Sequence, residues 1–313
     1  MSTDTTTSVN GPAAQVDRPV RPQPPTQSPP PHANDSPAAQ SGGISREKLI
    51  HRINSLRPWH MNIQLEEDLN TGEVFSDQGV VTHRPSNDGV SLLQLRDRFV
   101  NLLQRMYPEG LSDKRFLDCA CNAGGYCFWA RELDIQFAYG FDVRQHWIKQ
   151  ANFVKNHRQV APTDRIQFRT HDLYDLPNQN LAPFDITNFK GIFYHLPDPI
   201  TGLKAAADLT REVMFFNTST TWGEADGYLK SGWESRENVM SGVHGLKWYP
   251  TGPKVLGDIL RWLGFCEMKM MFFKQQYDQP QLGRIEIIAS KVAGRLDKIP
   301  GTWMETGAAG NPS

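Results

Sequence analysis

Apolar residues recur along this chain with two periods, and the switch from one to the other lays out the elements. After Ser45, the residues Leu49, Ile50, Ile53 and Leu56 fall on one helical face, which predicts a short helix capped by the serine. A broader stripe of Leu92, Leu95, Phe99, Leu102, Leu103 and Met106 predicts a second helix over Ser91 to Met106. The pattern changes at Arg115. Short segments at Phe116 to Cys119, Ala138 to Asp142, Ile166 to Arg169, Phe184 to Phe189 and Glu212 to Asn217 read as strands. Helical stretches at Arg144 to His157 and Ile200 to Leu209 fall between them. Strands alternating with helices predict a parallel sheet wrapped on both faces. A helix over Thr251 to Leu263 follows, and strands at Cys266 to Phe273 and Arg284 to Ser290 are expected to close the sheet as an antiparallel pair.

Polar residues mark the strand ends. The run Phe116-Leu117-Asp118-Cys119-Ala120-Cys121-Asn122-Ala123-Gly124-Gly125-Tyr126 reads as a strand, a tight loop and the start of a helix, the arrangement that grips a nucleotide-like cofactor. Its small or turn-prone residues stand at Asp118, Ala120, Asn122 and Gly124, which is not the strict dinucleotide glycine pattern. Ala120 is small enough for a ligand to approach the backbone, and Asn122 tolerates positive φ, so the loop geometry is attainable. Asp142 ends the second strand, where a doubly wound sheet presents a carboxylate to ribose hydroxyls. The third strand leads into His171-Asp172-Leu173, and the fourth into Gly191-Ile192-Phe193-Tyr194-His195-Leu196-Pro197.

On Asp118-x-x-Cys121-Asn122-Ala123-Gly124, Gly191-x-x-Tyr194-His195-Leu196 and Trp59-His60-Met61-Asn62-Ile63, the chain resembles class I S-adenosylmethionine-dependent methyltransferases. The resemblance runs from about Trp59 to Val292. Within that class it is similar to the group of tRNA wobble-uridine carboxymethyltransferases and bacterial glycan-associated methyltransferases. It implies an α/β, doubly wound, Rossmann-like fold with a seven-stranded sheet and an N-terminal helical cover, and S-adenosylmethionine as cofactor. It places Asp118, Ala120, Asn122 and Gly124 at the amino-acid end of that cofactor, Asp142 at the ribose diol, and Asp172 with Leu173 at the adenine. Asp172 has a competing reading as the cap of the turn that follows.

His195 is the candidate proton acceptor if the methyl acceptor is a hydroxyl, with Tyr194 beside it facing the cofactor. Its competing role is a backbone hydrogen bond at a helix start. Tyr194 and Arg284 match positions that, in the carboxymethyl-transferring relatives, bind the extra carboxylate of a carboxylated donor. Arg84 is a distant substitute for their lysine partner. His60, Trp233, Arg236 and Arg284 are the substrate-binding candidates.

Composition refines this picture. Among 313 residues, Met1 to Gly43 is rich in Pro, Ser, Thr, Gln and Ala, and is expected to be a disordered extension. Residues 44–110 then form a helical cover and flap, 111–292 the catalytic domain with a lid at 222–250, and 293–313 a loose tail. The lid stretch is longer than an ordinary connection and carries Trp222, Tyr228, Trp233, His244, Trp248 and Tyr249. A packed surface excursion is the alternative reading. With 33 basic and 34 acidic residues, net charge −1, no large uniform basic face is expected, and tRNA is neither signalled nor excluded. Cys119, Cys121 and Cys127 lack the second pair a zinc site needs, so no metal is expected. No export signal or membrane span is read, which makes the cytoplasm the expected address.

The leading function is methyl transfer to a small-molecule or sugar hydroxyl. The alternatives are tRNA wobble-uridine carboxymethylation, a nicotinamide-dependent oxidoreductase, which the missing glycine pattern disfavours, and a noncatalytic cofactor-binding module.

Overall fold

A computed structural model of the chain describes residues 44–76, 79–82 and 92–305. The proline-rich stretch, Asp77, His83 and Arg84 lie outside the described residues, as does 306–313. Helix α1 (Arg46–Ser55) starts where Ser45 Oγ accepts the Lys48 amide, and it buries Leu49 and Ile53. Within the cover and flap the chain forms two short hairpins, β1 (Gln64–Glu66) with β2 (Leu69–Asn70) and β3 (Glu73–Ser76) with β4 (Gly79–Thr82). Glu67 and Asp68 form the turn of the first hairpin, and beyond β2 both Asn62 Oδ1 and Asn70 Oδ1 accept the Gly72 amide. Helix α2 (Leu92–Met106) follows.

Five strands are parallel: β5 (Arg115–Cys119), β6 (Phe137–Asp142), β7 (Ile166–Thr170), β8 (Phe184–Lys190) and β9 (Thr210–Thr221). They alternate with α3 (Gly125–Glu132), α4 (Gln145–His157) and α5 (Pro199–Asp208). The chain then forms a hairpin of β10 (Leu229–Trp233) and β11 (Leu246–Pro250), helix α6 (Pro253–Trp262), and strands β12 (Glu267–Gln275), β13 (Leu282–Ser290) and β14 (Thr302–Trp303). The main sheet has the order β14-β12-β13-β9-β8-β5-β6-β7, with β13 running antiparallel between β9 and β12. The sheet therefore has eight strands where seven were expected. The extra strand comes from the supposedly loose tail: β14 pairs with β12, and Leu296 and Ile299 are buried ahead of it.

Alternation along the buried strands feeds two cores. Phe116 and Phe215 face α2, whose Phe99 touches both at ring-centroid distances of 5.7 and 5.3 Å. Their neighbours Leu117 and Phe216 join the opposite core with Leu173, Leu203, Leu256 and Leu260. Burying each such side chain contributes about 1.5–3 kcal/mol. The order reverses between β5 and β8, and in open α/β sheets ligands bind in the crevice at that switch point.

Close packing beneath the crevice makes Gly140 on β6 intolerant of a methyl group. A Cβ there would lie 2.9 Å from two Phe168 ring atoms and 3.0 Å from Cys121 Cβ. Gly140→Ala is expected to destabilise the fold by about 1–3 kcal/mol, read as a lower urea midpoint at unchanged slope. A midpoint equal to that of the parent would show that Phe168 yields without cost.

Candidate active site

The loop after β5 is built from three left-handed residues, with φ of 53° at Ala120, 52° at Asn122 and 82° at Gly124. Only the last is free of a Cβ penalty; the other two cost about 1–2 kcal/mol each. Local bonds hold them: the Cys121 amide donates to the Phe141 carbonyl at 2.8 Å, and the Ala123 amide to Asn122 Oδ1 at 2.8 Å. The lead-in segment closes over this loop. A Cβ at Gly125 would meet Met61 Cε at 2.4 Å, so the methionine lies directly on the start of α3.

Three carboxylates line the strand ends. Asp118 is buried, its Oδ1 accepting from Asn188 Nδ2 at 2.7 Å, and burial pushes its carboxyl up to about 7. Asp142 ties two loops together, since Oδ2 accepts the Asn122 amide at 3.1 Å and Oδ1 the Arg144 amide at 2.9 Å. Burial raises it to about 6 against those hydrogen bonds. Asp172 caps the 3-10 turn at Leu173–Gln179, accepting the Tyr174 amide at 3.0 Å, as its competing reading held. Its second oxygen, Oδ2, lies 3.2 Å from His244 Nε2. Leu173 is buried directly behind it.

A second group gathers beyond β8. The rings of Tyr194 and His195 are 3.9 Å apart, and Tyr249 stacks on Tyr194 at 6.1 Å. Arg284 on β13 donates to Asn217 Oδ1 at 3.1 Å and lies close enough to His60 and Tyr194 to bias both. Burial, then Arg284, lowers the His60 imidazole below its ordinary range. Burial raises the Tyr194 hydroxyl, with Arg284 opposing it. His195 does not bond backbone at a helix start with its side chain. Its Nδ1 instead sits 2.9 and 2.8 Å from Glu234 Oε1 and Oε2. His60, Tyr194, His195 and Arg284 thus come together, whereas Trp233 and Arg236 do not join them. Trp233 is 78 % exposed at the end of β10, and Arg236 is exposed and folds over Gly245.

The aromatic stretch is ordered as the β10–β11 hairpin, and its loop is fastened to the strand ends. Arg144 donates to the carbonyls of Asn238 at 3.1 Å and Ser241 at 2.8 Å. Trp248 Nε1 donates to the Pro197 carbonyl at 2.9 Å. Sequence reasoning missed Glu234 and Arg144, because nothing in their local pattern points to partners 39 and 94 residues or more away. It also missed Asn188 and Lys190, although both occupy the end of β8, where polar residues were legible. Lys190 is a partly buried ammonium 3.3 Å from Glu286, whose charge raises its pKa against a burial effect that lowers it. Tyr126 and Phe215 lie under it at 5.2 and 5.3 Å.

The donor set suits a cationic, nucleoside-bearing cofactor. Asn188 Oδ1 is buried without a hydrogen bond, an acceptor beside a carboxyl group, Asp118, whose charge burial disfavours. An ammonium or sulfonium centre would relieve both. Gly191 has left-handed φ and open space where a Cβ would stand, which leaves room for a ligand at the end of β8. Among the described residues, no group of His, Cys, Asp or Glu is arranged to hold a metal ion, and no helix is long and apolar enough to cross a membrane.

Comparison with known proteins gives the same reading. A methyltransferase-domain family model matches residues 111–251. Over 94 residues the chain is 37 % identical to a tRNA U34 carboxymethyltransferase of Campylobacter fetus subsp. fetus, covering 30 % of this chain and 32 % of that protein. A tRNA U34 carboxymethyltransferase of Nautilia profundicola is 33 % identical over 94 residues, covering 30 % of each chain. The chain therefore spans about a third of the length of the curated relatives it matches. Among solved structures, the N-terminal domain of EvdMO1, crystallised in the presence of SAH and D-fucose, superposes with a TM-score of 0.61 at 17 % identity. That match covers 80 % of this chain and 98 % of the other, and it establishes the shared fold. With the strand order described above, residues 111–251 are similar to a methyltransferase domain, and the chain shares the fold of the EvdMO1 N-terminal domain.

Proposed function

We propose that this chain transfers a methyl group from S-adenosylmethionine to a hydroxyl of a small molecule or sugar. The observation that carries the reading is the His195 imidazole at the end of β8, held through Nδ1 so that Nε2 is left for an acceptor proton. The cofactor supplies an activated methyl group on a sulfonium centre. The protein must then bind, align and dry the reactants. Asp118, Asn188 and the loop from Ala120 to Gly124 are suited to the amino-acid end, Asp142 to the ribose diol, and Asp172 with Leu173 to adenine. His60, Tyr194 and Arg284 are placed to orient the acceptor. The β10–β11 hairpin serves as the lid that excludes water.

A second reading, carboxymethyl transfer to a tRNA wobble uridine, draws on the grouping of Arg284 with Tyr194 and on what the two curated relatives are named for. Native mass spectrometry of the full chain with S-adenosylmethionine, its carboxylated form and nicotinamide dinucleotide separates the readings. Methyl transfer requires preference for the unmodified sulfonium and, with a panel of sugars and phenols, a methyl ether product. Preference for the carboxylated donor would move tRNA to first place, and binding of neither sulfonium would overturn both.

A further inference from the structure

We infer that Glu234, carried by the lid, is the positioning residue of His195, so that closing the hairpin assembles the base. The catalytic part of this inference rests on the hydroxyl-methylating function proposed above. Glu234 lies immediately after β10, 39 residues from His195 and on a different element. Both of its oxygens reach Nδ1, its side chain is 7 % exposed, and that of His195 is 16 % exposed. An ionised carboxylate only accepts, so the proton of the neutral ring belongs on Nδ1 and the lone pair on Nε2. A protonated Nδ1 cannot accept in turn. The Gly242 amide, 3.2 Å from Nδ1 and 2.9 Å from Glu234 Oε1, therefore donates to the carboxylate.

The lid loop is shaped around this contact. A Cβ at Gly242 would stand 2.5 Å from the His195 carbonyl oxygen and 2.6 Å from Glu234 Oε1, so only glycine lets the loop come this close. Arg144, two residues past Asp142, holds the same loop through the carbonyls of Asn238 and Ser241. A hairpin swung away from the strand ends takes Glu234 with it and leaves the imidazole free to change tautomer.

In the reaction the acceptor oxygen forms a bond to the methyl carbon as the carbon–sulfur bond breaks, its electron pair remaining on sulfur. The hydroxyl proton passes to Nε2. The imidazolium so formed faces the Glu234 carboxylate, and the proton leaves to water when the lid opens. This is the orienting and charge-balancing part that a buried carboxylate plays for an imidazole base.

The test is nitrogen-15 NMR of histidine-labelled full-length protein, alongside turnover. The parent should show His195 as the Nδ1–H tautomer, and Glu234→Ala and Gly242→Ala should each give a tautomer mixture. In both variants kcat should fall by about 10- to 100-fold, a share of what a positioned base contributes, with KM nearly unchanged. Glu234→Gln, close in size and still an acceptor, should keep the tautomer and lose turnover with the charge. It decides the matter if the alanine variant fails to fold. An unchanged tautomer in folded Glu234→Ala, or parental kcat in Glu234→Gln, would overturn the inference. The tautomer needs no acceptor, so a protein that shows it but makes no methyl ether would refute the hydroxyl reading alone.

Discussion

Replacing His195 with glutamine is expected to slow methyl transfer to a hydroxyl by about 10²–10⁴-fold, the contribution of a well-placed general base. Glutamine is close in size and its amide can still donate to Glu234, so the lid keeps its anchor. What disappears is the basic nitrogen. Affinity for S-adenosylmethionine, measured by calorimetry, should stay near the parental value because the cofactor-side carboxylates are untouched. The loss should therefore appear in kcat, as removal of an interaction made in the transition state. Initial rates within twofold of the parent would mean that the acceptor loses its proton without help from this imidazole.

The second large effect is expected at Asp142. Its two oxygens hold the amides of Asn122 and Arg144, so Asp142→Ala orphans two donors at a cost of about 1–3 kcal/mol each. On the role proposed for it, the same change also removes an acceptor for the ribose diol, and cofactor affinity should fall by about 10- to 100-fold, the worth of a hydrogen bond to a charged group. Asp142→Asn retains one carbonyl oxygen and should lose less stability than affinity. The pH dependence gives an independent check. Burial places the Asp142 carboxyl at about 6, and hydroxyl donors favour its ionised form, so parental affinity should rise as the pH climbs through that value. The asparagine variant should lose that rise. Equal affinities in parent and Asp142→Asn across that range would remove Asp142 from the ribose contact and leave it as a loop buckle only.

The sheet was legible in the sequence because the inner parallel strands are rich in apolar residues, as burial on both faces demands, while the edge strand β7 alternates apolar and polar residues. Asp118, Asp142 and Asp172 were legible as well, each standing at or near the end of a strand. The tail was not. Gly294, Gly301 and Pro300 suggest a loose segment, yet Leu296 and Ile299 are enough to seat it, and β12 offers an unpaired edge that β14 covers. The lid's aromatic residues signalled importance without sorting themselves. Trp233 looked like a ligand platform and faces solvent, while its neighbour Glu234 turns inward, because alternate residues leave a strand on opposite sides. Ala120 shows a further limit. Its positive φ is imposed by the loop and offset by neighbouring hydrogen bonds, an arrangement that residue type alone does not announce.

Three of the hairpin's polar anchors, at Arg144, Asp172 and His195, lie on or within two residues of a carboxylate proposed to hold the cofactor or beside the proposed transfer point. Shielding and departure are therefore mechanically linked. On the function proposed above, the contacts by which the hairpin would keep water out must break before the spent thioether leaves, and the movement that breaks them would disturb the proposed ribose and adenine ends as well. Weakening the Arg144 latch trades a drier reaction chamber for faster exchange, so the strength of that latch sets whether chemistry or release paces the cycle.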